Sequence, residues 1–315
     1  MQFFDADQVH ACCDYPQLVE ALQRYHLEDT EVVDDLLLSQ PADSGTETHF
    51  FLRAAWQRGR AMGTKLITAF CDNPNSASGL PAVQAVYVLF DGANGQPLAA
   101  LDGTALTLRK TAADSALGSR FLARTDVATM LMVGAGALAP HLIMAHCAVR
   151  PSIERVMIWN RTRSRAEALA EKLAIGGVAL DVVDDLEAAA RGADLISCAT
   201  MTTDPLIRGA WLRPGTHLDL VGAFKPDMRE ADDDALRCAS IFVDSRQTTI
   251  EHVGELKIPL ATKVITETGI LADHYDFARG RHVGRRGADE ITLFKNGGGG
   301  HLDLMTARFV VAQAP

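Results

Sequence analysis

Three groups of residues in this sequence have the types and spacing to do chemistry. The first is Gly134-Ala135-Gly136-Ala137-Leu138-Ala139, a GxGxxA turn directly after the apolar run Met130–Val133. Gly134 permits a tight turn out of a strand. Gly136 lacks a Cβ, so a pyrophosphate can approach the backbone at the N-terminus of the next helix. Ala139 is small enough for that helix to pack on the strand. A second apolar run, Arg155–Trp159, ends in Asn160-Arg161-Thr162-Arg163. Dinucleotide sites for NAD usually place an acid there, to accept from the ribose 2′-OH. A carboxylate would repel a 2′-phosphate, whereas Asn, Thr and Arg hydrogen-bond it and Arg neutralises its charge. The pattern favours NADPH, with NADH possible.

The second group is cationic. Gly63-Thr64-Lys65 puts a lysine at the start of an apolar strand, and Asp102–Lys110 puts Arg109 and Lys110 at the entry to a small-residue helix. Either could clamp a carboxylate, and Arg does so bidentately. Taken alone, each reads equally as a solvated surface charge. The third group, Gly222-Ala223-Phe224-Lys225-Pro226-Asp227-Met228-Arg229-Glu230, follows an apolar run. It stands at the carboxyl end of a parallel strand, where open α/β sheets bind ligands.

The elements that must position these residues divide the chain in two. Strands are expected at Gln2–Phe4, Thr48–Trp56, Thr64–Phe70, Val83–Phe90 and Pro97–Leu101, the last two joined by the hairpin turn Asp91–Gly95. Helices are expected from near Asp7 and over Thr30–Leu38, with Asp5 and Asp7 as caps. Ala112–Leu122 reads as an amphipathic helix. From there strand and helix alternate: Met130–Val133, Arg155–Trp159, Val178–Val183, Asp194–Thr200, His217–Ala223 and Ala239–Asp244, the last closing the series. That alternation predicts a doubly wound parallel sheet of the Rossmann type, beside a discontinuous α+β domain to which an apolar helix from Leu302 returns. The expected domains are residues 1–122 with 296–315, and 123–295.

The chain has 315 residues, 48% hydrophobic and 22% charged, with net charge −10. That composition is globular, and its sign disfavours nucleic acid and anionic membranes. Six cysteines are scattered without zinc-ligand spacing, and the Cys12-Cys13 pair reads as two reduced thiols. No metal site is expected. The uncharged stretch Val127–Val149 carries Gly134, Gly136 and Pro140, which argues against a membrane span. The N-terminus lacks a signal-peptide pattern, so a cytoplasmic protein is expected.

Several stretches together resemble the ornithine cyclodeaminase/mu-crystallin family over nearly the whole chain. They are GTKLIT at Gly63, GLP at Gly79, LDGTALTLRKTAADSAL at Leu101, the GAGALA turn with WNRT, GAFKPDMREAD at Gly222 and TLFKNGGGGHLDL at Thr292. The resemblance implies an N-terminal substrate and dimerisation domain completed by the C-terminal helix. It implies that Lys65 and Arg109 meet the substrate carboxylate near the nicotinamide, and that Thr200 lies near the nicotinamide ribose. It also implies a homodimer built through the N-terminal sheet.

Within the family, cyclodeaminases resemble one another in an acid ending the second strand and a catalytic Asp in the turn before a proline. This chain has Asn160 and Phe224 at those places, and Asp227 follows Pro226. Its wording is more similar to the ketimine reductase branch, so Phe224 is expected to offer an apolar wall to a ring substrate. Relatives tend to carry an arginine near Gln40–Asp43, which leaves open whether Arg53 supplies that contact. The expected activity is NADPH-dependent reduction of cyclic imino acids. The alternatives are ornithine cyclodeamination, an alanine dehydrogenase-like reaction, and non-catalytic binding of NADPH or a small ligand.

Overall fold

The computed structural model describes residues 1–42, 44–77 and 79–314. Its first elements are β1 (Gln2–Phe4), α1 (Ala6–Cys12), α2 (Tyr15–Tyr25), β2 (Glu31–Val32), β3 (Leu36–Pro41), β4 (Glu47–Gln57), β5 (Ala61–Phe70), β6 (Val83–Asp91), β7 (Pro97–Asp102) and α3 (Gly103–Leu122). Then come β8 (Thr129–Val133), α4 (Ala139–Val149), β9 (Arg155–Trp159), α5 (Arg163–Lys172), β10 (Ala179–Val182), α6 (Leu186–Gly192), β11 (Leu195–Cys198) and β12 (His217–Leu220). The last are α7 (Asp233–Cys238), β13 (Ser240–Val243), α8 (Arg246–Thr249), α9 (Gly254–Ala261), β14 (Ile270–Ala272), α10 (His274–Ala278), β15 (Thr292–Lys295) and α11 (Gly300–Gln313). Two compact units result, Met1–Lys110 with Gly299–Pro315, and Thr111–Gly298. The chain leaves the first unit inside α3, earlier than the expected boundary at 122, and α11 belongs to the first unit.

In the first unit, one seven-stranded sheet runs β1-β7-β6-β5-β4-β2, with β3 also paired to β4. Helix α11 packs on β4, β5, β6 and α2. Asp5 caps α1 in a reciprocal pair with Gln8, while Asp7 lies inside the helix; Asp14 caps a second helix, α2, with Pro16 in its first turn. The helix expected over Thr30–Leu38 is not formed. Glu31–Val32 and Leu36–Pro41 are strands on β4, with Leu36 opposite Leu52 and Leu38 opposite Phe50. Pairing with a distant strand outweighs the local helix preference of a leucine run. Leu36, Leu37 and Leu38 remain 55%, 55% and 54% exposed on that strand.

The second unit is an eight-stranded, all-parallel sheet in the order β10-β9-β8-β11-β12-β15-β13-β14. β13 does not close the series as expected: β15, from much later in the chain, inserts between β12 and β13, and β14 forms the edge. Leu131, Val133, Ile196, Leu218, Leu220 and Leu293 are fully buried on these strands, which accounts for their continuous apolar runs. The chain winds outward from β8 to β9 and β10 on one side and to β11 and β12 on the other. The switch point at which such sheets bind ligands is therefore between β8 and β11. Among the described residues, no helix is long and apolar enough to cross a membrane.

Candidate active site

The glycine turn lies at that switch point. Gly134 has φ +106°, and a Cβ on it would lie 2.6 Å from the Ala199 carbonyl oxygen at the end of β11. Only glycine fits there. Gly136 is exposed, and a Cβ on it would meet nothing within 4 Å. Open space over a Cα at the entrance to α4 is the room a pyrophosphate needs, so the turn fits a dinucleotide. Ala135 N–H donates to Asn160 Oδ1 at 3.1 Å, and Asn160 Nδ2 donates to the Thr162 carbonyl at 2.8 Å. The Asn160 amide thus ties the turns after β8 and β9 together. Arg161 is exposed and makes no ion pair among the described residues, whereas Arg163 is held by Glu167 and Asp184. Ala137 is exposed in the same turn.

Thr200 follows β11, with its Cγ2 3.3 Å from where a Gly134 Cβ would stand. Its N–H and Oγ1 both donate to Glu230. Phe224, in the loop after β12, is 54% exposed, with Lys225 Nζ 5.7 Å from its ring centroid. It is no core residue, despite its type. Among the described residues no group of His, Cys, Asp and Glu could hold a metal.

The first unit holds a separate buried charge cluster. Arg53, Lys65 and Tyr87 stand side by side on β4, β5 and β6, so their side chains share one face. Lys65 is in mid-strand, not at its start. Its Nζ lies 2.8 Å from Asp303 Oδ2 and donates to Thr107 Oγ1 at 3.3 Å. Lys110 Nζ lies 3.4 Å from Asp303 Oδ1 and donates to the Gly299 carbonyl. All three charged side chains are nearly inaccessible. Burial lowers the Lys65 ammonium to about 8, opposed by Asp303 and reinforced by Lys110. Burial alone would raise Asp303, but Lys110, Lys65 and Arg53 outweigh it and hold that carboxyl at about 2. Two ammonium groups share one carboxylate, which leaves a local excess of positive charge.

Arg109 does not join Lys65. Its guanidinium donates to His10 Nδ1 at 2.9 Å and to the Cys13 carbonyl, and lies over the Tyr15 ring. Successive helix residues point about 100° apart, so only one of Arg109 and Lys110 can face β5. Thr107 and Lys110 share a face at i, i+3, and that face meets Lys65. Lys110 thus takes the place expected for Arg109. Asp303 went unnoticed in the sequence, although an acid in the apolar helix Gly300–Gln313 carries its own signal: it has to be paired. Arg53 is near the cluster and is held bidentately by Asp35; Asp43 lies outside the described residues.

With this geometry in hand, comparison with known proteins is informative. The pattern of the ornithine cyclodeaminase/mu-crystallin family matches residues 46–314. The chain is 45% identical over 311 residues to a Δ1-pyrroline-2-carboxylate reductase of Paracoccus denitrificans, covering 98% of this chain and 96% of that one. It is 34% identical to the ketimine reductase mu-crystallin of Rattus norvegicus, covering 79% and 75%. The structure of Thermococcus litoralis Δ1-pyrroline-2-carboxylate reductase in complex with NADH and L-proline superposes with a TM-score of 0.89 at 28% identity, covering 100% and 97%. The chain belongs to the ornithine cyclodeaminase/mu-crystallin family.

Proposed function

We propose that this protein is an NAD(P)H-dependent reductase of cyclic imino acids, converting Δ1-pyrroline-2-carboxylate to L-proline and Δ1-piperideine-2-carboxylate to pipecolate. The observation that carries the reading is the buried pair Lys65 and Lys110 sharing the single carboxylate of Asp303. Its excess charge suits a substrate carboxylate. The resemblance to reductases of this type, and a relative that binds NADH and L-proline, support the same substrate class.

A bound nicotinamide dinucleotide supplies the hydride. Lys110 and Lys65 hold the substrate carboxylate, and Asp303, ionised throughout the neutral range, holds both lysines in place. Lys65, lowered to about 8, is a proton source matched to neutral pH for the imine nitrogen. Gly136 and Ala137 would cradle the pyrophosphate, with Gly134 making the turn that presents them. Phe224 supplies no base of the kind cyclodeamination requires.

The test is a panel of imino acids, open-chain oxo acids with ammonia, and L-ornithine, followed by cofactor absorbance and ammonia assay. Oxidation of NADPH by the cyclic imino acids is expected, with no ammonia released from L-ornithine. Proline and ammonia formed stoichiometrically from L-ornithine would overturn the reading. NADPH bound with no substrate turned over would favour a binding protein.

NADPH is the preferred cofactor in this reading, through Arg161. Arg161→Ala should weaken NADPH binding by roughly 1–3 kcal/mol, the scale of a charge-assisted contact, and leave NADH nearly unchanged. Isothermal titration with both cofactors checks this. Equal weakening of the two would remove the 2′-phosphate assignment.

A homodimer through the first unit's sheet completes the reading. Leu36, Leu38, Phe50 and Phe70 are exposed large apolar side chains on one face of β3, β4 and β5. Such an apolar sheet surface calls for a partner. Light scattering at micromolar concentration should give twice the chain mass; a monodisperse monomer would contradict it.

A further inference from the structure

Glu230 belongs to the segment Gly222–Glu230 and has no part in the chemistry above, yet its carboxylate is fully buried. Oε1 accepts from Thr200 N–H at 2.7 Å and from Thr200 Oγ1 at 2.8 Å. Oε2 accepts from Gly222 N–H at 2.7 Å and from Ala223 N–H at 3.4 Å. One side chain thereby joins the loop leaving β11 to the loop leaving β12. The fit leaves no slack, since a Cβ on Gly222 would lie 2.0 Å from the Thr200 carbonyl oxygen and 2.7 Å from Glu230 Oε1. Glu230 is itself held from behind: its N–H and that of Ala231 donate to Glu255 of α9 at 2.7 and 3.1 Å.

These bonds serve no helix cap and no sheet ladder. They fix backbone at the carboxyl ends of β11 and β12, the edge at which open parallel sheets bind ligands. Which part of a dinucleotide would lie there follows from the other contacts. A dinucleotide with its adenosine ribose beside Asn160–Thr162 after β9 and its pyrophosphate at Gly136 after β8 would leave its remaining half for the carboxyl ends of β11 and β12.

We propose that Glu230 is a positioning residue for hydride transfer, holding Thr200 and Gly222–Ala223 as the rigid seat of the nicotinamide. The inference rests on the dinucleotide reading of the second unit. A carboxylate can receive all of these donors only when ionised, because protonation replaces an acceptor site with an O–H that faces N–H groups. The groups that face it are Lys295 of β15, Glu255 of α9 and the Cys198 thiol of β11. Burial raises Glu230 to about 7, opposed by Lys295 and reinforced by Glu255. The seat is therefore firm above that pH and loosens as pH falls through it.

The experiment compares wild-type protein, Glu230→Gln and Thr200→Val. It measures NADPH affinity and bound-NADPH emission, and kcat and KM for Δ1-pyrroline-2-carboxylate from pH 5.5 to 9. If wild-type protein binds neither NADPH nor NADH, the dinucleotide reading fails and this inference falls with it. Given wild-type binding, Glu230→Gln should keep NADPH affinity within about threefold and lose about 10- to 100-fold in kcat, the scale of a misplaced reacting group. Its bound-NADPH emission should shift toward that of the free cofactor. The acid limb of the wild-type kcat profile, with a midpoint near 7, should be absent in the variant. Thr200→Val removes one donor and should show the same split in smaller measure. Glu230→Gln with unchanged kcat, emission and acid limb would overturn the inference. So would Thr200→Val with a wild-type profile, even if Glu230→Gln did not fold.

Discussion

Lys65→Met should lose imino-acid reduction, by roughly 10²–10⁴-fold in kcat/KM, the range contributed by a positioned proton donor, while NADPH affinity is unchanged. Lys65 lies in the first unit and the glycine turn and Arg161 in the second, so the substitution leaves the glycine turn and Arg161 unaltered. It does leave the buried Asp303 carboxylate with fewer cations. Breaking a buried pair costs about 3–5 kcal/mol, so thermal unfolding must accompany the kinetics. A variant that is folded at the assay temperature and binds NADPH, yet does not reduce the imino acid, isolates the chemical role. The pH profile carries the same prediction in the unmodified protein. The active form of Lys65 is charged, and that charge is lost as pH rises through about 8. Lys65 therefore gives the profile an alkaline limb, with activity falling as pH rises through about 8, the reverse of the acid limb set by Glu230. Wild-type kcat/KM in Lys65→Met would remove the lysine from the mechanism.

Gly136→Val should abolish binding of NADPH and NADH together, without unfolding the protein. Nothing lies within 4 Å of a Cβ at this position, so the added side chain starts into open space. An exposed substitution of this kind changes stability by about 0.5 kcal/mol or less. What the isopropyl group fills is the approach of the pyrophosphate. The neighbouring glycine behaves differently. At Gly134 a Cβ would meet the Ala199 carbonyl at 2.6 Å with φ +106°, so Gly134→Ala should destabilise the fold itself. Fluorescence titration with both cofactors, beside unfolding of the apo-protein, separates the two effects. Gly136→Val with wild-type affinity for either cofactor would refute the cradle.

Much of the second unit was legible in the sequence, because its determinants are local. A buried parallel strand writes itself as an apolar run, as in Met130–Val133. The turn after it needs glycine at a positive φ, and a helix follows at Ala139 with Pro140 in its first turn. The family resemblance was legible for a related reason: backbone turns and ligand contacts constrain short contiguous stretches such as GAGALA and GAFKPDMRE. Strand order beyond β12 was not. β15 reaches its place between β12 and β13 from the far end of the domain, and the crossover between parallel strands needs a dozen residues or more but does not fix which strands become neighbours.

The first unit shows what only tertiary structure decides. Leu36–Leu38 carries no local sign of whether it is helix or strand, and its pairing with Phe50–Leu52 decides it. Two adjacent cations, Arg109 and Lys110, are plain in the sequence, but not which of them faces Lys65. That choice depends on the rotation of α3, which puts Thr107 and Lys110 on the face toward Lys65 and Asp303. The partner that both lysines meet is Asp303, 238 residues from Lys65 in the chain. A buried charge declares that it must be paired. Only the packing of α11 on the sheet could say with what.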